Sequence, residues 1–104
     1  MAKYQIMYWK EIPAQVKAMD DQGEFSVPLP PRFQEVIDEI AMREGDLDTD
    51  SYLDGWHWGE IQELTGTAEQ AAQKIAADID AKYPQHSDDL LDYIRNERKN
   101  KSAP

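Results

Sequence analysis

The chain reads as an α+β domain: a two-layer sandwich in which two main helices cover a small three-stranded sheet, followed by a short C-terminal helix. Two observations predict this. Residues 3–11 and 55–64 carry β-branched and aromatic side chains in alternation, whereas residues 32–44 and 68–83 place apolar side chains three and four apart. With strands and helices interleaved and no internal repeat, helices on one face of a sheet is the simplest way to bury both helical stripes.

The elements follow in order. Residues 3–11 hold Tyr4, Ile6 and Tyr8 on one parity and Met7 and Trp9 on the other, large side chains on both faces, as in a central strand. Ile12-Pro13 is expected to interrupt it, and residues 15–19 to resume as a second strand. Asp20-Asp21-Gln22-Gly23 has turn composition, and residues 24–27 make a short extended piece after it. Pro28-Leu29-Pro30-Pro31 ends in a proline suited to a first helical turn, and Phe33, Val36, Ile37, Ile40 and Ala41 form one stripe of a helix over residues 32–44, closed by a left-handed Gly45.

Residues 45–54 read as a loop, and residues 55–64 as the third strand. In that strand Trp56 and Trp58 share a face while Ile61 falls on the other parity, so Gly59 is read as a bulge. Thr67 and Gln70 have capping-box spacing at the head of the second helix, whose stripe is Ala68, Ala71, Ala72, Ile75, Ala76, Ile79 and Tyr83, until Pro84 stops it. Ser87 is the expected cap of the last helix, with Leu90, Leu91 and Ile94 as its apolar side. Residues 1–84 are thus read as a single domain and residues 85–104 as a helix with a basic tail.

The 104 residues carry a net charge of −10 and no cysteine. Disulfides, thiolate metal sites and a thiol nucleophile are excluded, and a reducing, cytoplasmic setting is expected. No window suits a membrane span or a secretion signal. The charge is uneven. Residues 20–63 hold thirteen Asp and Glu against Arg32 and Arg43, a balance of −11, while the remainder sums to +1 with its bases gathered at the C-terminus. Such a surface disfavours nucleic acid and favours a protein partner, a basic one in particular, or a cation.

Three constellations could carry function. Asp46, Asp48, Asp50 and Asp54 fill the first, third, fifth and ninth positions of a Ca²⁺ loop, but Ser51 stands where such a loop needs glycine and His57 where it needs a bidentate Glu. The competing reading is an acidic, solvated loop, with Ca²⁺ kept as the alternative. Trp56-His57-Trp58 could present a general base, yet alternation turns His57 away from both tryptophans and no nucleophile accompanies it. Paired carboxylates such as Asp38 with Glu39, or Asp78 with Asp80, read first as solvated faces. No motif argues for an enzyme. Trp9, Tyr52, Trp56 and Trp58 are instead candidate anchors for a partner protein, since aromatic residues dominate interface hot spots, and a sheet covered on one side leaves its other face open.

Three stretches, Tyr8-Trp9-Lys10-Glu11-Ile12-Pro13-Ala14-Gln15-Val16, Tyr52-Leu53-Asp54-Gly55-Trp56-His57-Trp58-Gly59 and Gly66-Thr67-Ala68-Glu69-Gln70-Ala71-Ala72, together resemble the small bacterial domain family called "virulence factor". The resemblance spans residues 3–83. It implies a stand-alone domain or, as in the conserved virulence factor C of Gram-positive bacteria, a neighbour of helical repeats, and hence a binding or accessory module to which no catalytic residue is assigned. The alternatives are a metal-dependent ligand binder or enzyme subunit built on the acidic loop, and a nucleic-acid mimic.

Overall fold

Two-residue turns join the first three strands, so they fold back as an antiparallel meander: β1 (Ala2–Trp9), β2 (Ile12–Asp20) and β3 (Gly23–Pro28). The computed structural model describes residues 1–43, 45 and 50–102. After the meander come α1 (Pro31–Arg43), α2 (Asp50–Asp54), β4 (Trp56–Trp58), β5 (Gln62–Leu64), α3 (Ala68–Lys82) and α4 (Ser87–Ser102). The sheet order is β3-β2-β1-β4, with β5 pairing β1 on the same side as β4.

The α+β class holds, but the sheet has five strands where three were expected. Residues 24–27 are a full ladder partner of β2, with Val16 opposite Val27 and Ala18 opposite Phe25. The expected third strand is divided, β4 lying along Met7–Trp9 and β5 along Ala2–Tyr4. Gly59 marks the break: its N–H donates to Ile6 O at 2.8 Å, and a Cβ there would lie 2.9 Å from the Tyr8 ring. The break after β1 falls at residues 10–11, not at Ile12-Pro13 as expected, and β2 includes Pro13. This proline sits opposite Tyr8 at a register shift, beyond the point where β3 ends opposite Gln15, so the ladder asks no N–H of it.

Residues 50–54, expected within a loop, form the short helix α2. The C-terminal helix is not short either: α4 has 16 residues against 15 in α3. The capping box is present, with Gln70 N–H donating to Thr67 Oγ1 and Thr67 N–H to Gln70 Oε1. Gly45 takes the left-handed conformation expected of it, φ 72°. Ser87 faces elsewhere than expected, its hydroxyl donating to Glu35 Oε2 on α1 at 2.5 Å.

Helix α3 lies across β1, β2 and β3, and α1 bridges β2 and α4. The alanines at 68, 71, 72 and 76 are buried, and their small side chains let the helix backbone approach the sheet closely. Phe33, Val36, Ile37 and Ile40 of α1 fill the core with Val16 and Ala18 of β2 and Leu90 and Ile94 of α4.

Two charged side chains lock the layers. Arg32, only 8 % exposed, donates through Nε to Pro84 O at 2.6 Å and through Nη2 to Asp80 O at 3.0 Å, and its Nη1 lies 2.7 Å from the Asp80 carboxylate. It thereby ties the start of α1 to the negative end of α3. Asp20 works at the opposite end of α3. One of its oxygens accepts from the N–H groups of Gln22 and Gly23, and the other from Ala68 N–H at 2.7 Å. These backbone donors, Ala68 first, hold the Asp20 carboxyl below its ordinary value.

Candidate functional site

Ladder parity divides the sheet into two faces. Tyr4, Ile6, Val16, Ala18, Phe25 and Val27 lie on the side packed by the helices, all buried or half-buried against the core. Gln5, Met7, Gln15, Lys17, Met19 and Trp58 share the opposite side. Its centre is Trp58, 38 % exposed, with Met7 opposite it across the ladder and Lys17 Nζ 5.4 Å from its ring centre. Lys17 also pairs with Glu24 at 3.4 Å, and Gln5 Nε2 donates to Gly59 O at 3.1 Å. The surface presents an exposed indole beside Met7, with Gln5, Gln15 and Lys17 on the same side and the Lys17 cation against the indole.

The four candidate aromatics fall into separate roles. Trp9 is wholly buried and presents no surface. Its indole N–H donates to Tyr52 O at 2.9 Å, and Gly55 lies so close that an added Cβ would come within 2.7 Å of the indole nitrogen. Tyr52 packs on it at 5.8 Å, and Trp56 meets Tyr52 edge-on at 6.1 Å, so both are half-buried in one cluster that anchors α2 to the end of β1. Of the four, Trp58 alone is exposed.

His57 points to the other face from Trp56 and Trp58, as alternation predicts. It is exposed, stacks on Tyr8 with ring centres 5.7 Å apart, and brings Nδ1 to 3.1 Å from Gly55 O. Burial pushes the Tyr8 phenol up from its usual range, with a smaller contribution from Tyr4.

Of the proposed Ca²⁺ ligands, Asp46 and Asp48 lie outside the described residues, and Asp50 and Asp54 stand at the two ends of α2, not at alternating loop positions. Among the described residues no group of three or more His, Asp or Glu could hold a metal ion. A groove of about 280 Å³ between α1 and α4 is lined by acids, but Glu35 there accepts from Ser87 and Glu39 pairs with Arg43 at 2.8 Å. No described helix is long and apolar enough to cross a membrane.

Sequence reasoning missed the buried tie made by Arg32, the bond from Ala68 to Asp20, and the exposure of Leu53 and Ile61. For Arg32 a signal existed: a cation in the first turn of a helix opposes the helix dipole, so its place needs a partner elsewhere in the fold.

A family model described as "Virulence factor" matches residues 7–91, and the chain belongs to that family. Comparison with curated proteins and with solved structures returned no match.

Proposed function

We propose that this member of the virulence factor family is an accessory module that binds another protein through the uncovered face of its sheet and does no chemistry of its own. The observation that carries the reading is Trp58: a large, rigid side chain held 38 % exposed on a face that α1 and α3 leave uncovered, with Lys17 fixed against it. Indoles of this kind supply contact area at little entropic cost, and partners bury them at the centre of interfaces. Several carboxylates that could have served catalysis have structural duties instead: Asp20 on two turns of backbone, Asp80 on Arg32, Glu39 on Arg43 and Asp78 on Lys74.

Site-specific photo-crosslinking in the native cell tests this. A photoreactive phenylalanine analogue at position 58 is expected to give one dominant protein adduct, identified by mass spectrometry, while the same analogue at the exposed Gln34 of α1 gives none. Equal labelling from both positions, or none from position 58, overturns the reading.

A further inference from the structure

The outer rim of β4 and β5 presents backbone groups that no described strand of the sheet takes up. Gly59 N–H donates to Ile6 O at 2.8 Å and Lys10 N–H to Gly55 O at 2.7 Å. These two bonds fix the parity of the ladder: β1 turns the backbone groups of Ile6 and Tyr8 toward β4, so His57 bonds inward. The N–H and C=O groups of Trp56 and Trp58 therefore point outward. The same alternation, carried to Tyr4 opposite Gln62 and Ala2 opposite Leu64, turns Glu63 outward as well. Among the described residues no strand pairs with β4 or β5 on that side.

Resting on the protein-binding reading above, we propose that this rim accepts an extended segment of a partner protein as an added strand, and that the segment carries Lys or Arg in alternation with apolar residues. Added strands are held by main-chain hydrogen bonds, with side chains giving the selection. Here the backbone contribution is limited, because β4 and β5 have three residues each and Gly59 divides them. Side chains must supply the remainder. The charged side chains at the rim are carboxylates: Glu60, Glu63 and, at the end of α2 just before β4, Asp54 are exposed, with Ile61 57 % exposed and Trp58, His57 and Gln62 on the same two strands. Between Arg43 and Lys74 the chain has no Lys or Arg at all. A strand laid along this rim meets carboxylates on its own side, while Lys3 stands opposite Glu63 on the far side, in β1; opposite charges across a strand pair stabilise it and like charges oppose it.

The test uses the isotopically labelled full chain and three synthetic peptides: one alternating Lys and Val, one alternating Glu and Val, and the Lys–Val peptide with alternate backbone amides methylated. The Lys–Val peptide is expected to slow amide exchange at Trp56, Trp58 and Glu63, to bind at least tenfold more tightly than either of the others, and to weaken several-fold in the Glu60→Gln/Glu63→Gln double variant. Equal binding of the Glu–Val or methylated peptide, or side-chain resonance shifts centred on Lys17 and Gln15 of the open face with the Trp56, Trp58 and Glu63 amides unprotected, overturns the proposal. A single crosslinked partner at position 58 whose binding leaves the Trp56 and Trp58 amides unprotected also overturns it, while the protein-binding reading stands. Failure of the crosslink as well removes both.

Discussion

Along β3 the backbone groups that face outward belong to Glu24, Ser26 and Pro28; along β4 and β5 they belong to Trp56, Trp58 and Glu63. The β3 edge is closed by familiar means. Pro28 has no N–H to offer, and Glu24 is drawn into a pair with Lys17. The β4–β5 edge has no proline and no cation, and its protection is shortness alone. One edge therefore lacks a donor at its end, and the other keeps its N–H groups and selects strands by their side chains. That difference is what a binding module needs, since two open edges would invite filaments and two closed ones would bind nothing by pairing.

The contrast can be broken most severely at Trp9. Trp9→Ala removes the side chain that holds α2 and the start of β4, and a loss of about 3–5 kcal/mol is expected in urea unfolding, as for other buried aromatics. Native-state amide exchange should then quicken in β4 before it does in β3; equal acceleration in both would show that Trp9 does not hold the rim. Arg32→Met should cost about 2–3 kcal/mol through two lost charge-assisted hydrogen bonds and an ion pair. Because it acts on the helix layer, the change is expected to leave the difference between the edges intact, with β3 and β4 amides shifting together.

A gentler change sharpens the comparison. Pro28→Val restores an outward N–H to β3, and its effect on stability should stay within about 0.5 kcal/mol, as at most surface positions. Its signature is self-association in sedimentation velocity, absent from the parent chain at the same concentration. The subtlest readout is pH. The Asp20 carboxyl is held below its ordinary value in the folded state, so its contribution is present above the unfolded value of about 3.9 and is lost as pH falls through the lower folded value. Asp20→Asn should lower stability at neutral pH and flatten the acid limb of the urea midpoint below about pH 4. An acid limb unchanged by the substitution would assign it to other carboxylates.

How much of this was legible in the sequence depended on distance along the chain. The stripe from Phe33 to Ala41, the Thr67–Gln70 cap and the turn at Asp20 are local patterns, and the structure contains each of them. The division of residues 55–64 was half visible, because Gly59 suggests an irregularity, but it is a break between two strands rather than a bulge, and the two short ladders required knowing that β1 lies alongside. The second oxygen of Asp20 reaches Ala68 across 48 residues, and Arg32 reaches Pro84 across 52. Both take backbone atoms as partners, which leave no trace in residue identity. Trp9 was placed among surface candidates because β1 has large side chains on both parities. Its burial follows from α2, a helix of one turn that composition read as a loop.

The sheet order also sets a sequence of events during synthesis. Strands β1, β2 and β3 are neighbours along the chain and can pair as soon as about the first thirty residues are free, since local hairpins close quickly. The other side of β1 must wait until Trp58 and Leu64 have been made. While residues 30–64 are being made, then, the nascent chain displays a bare strand edge bearing Tyr4, Ile6 and Tyr8, at the point where incomplete chains are most apt to stick to one another. Slow translation through residues 30–64 should prolong that exposure, and the burden on cellular chaperones should rise with it.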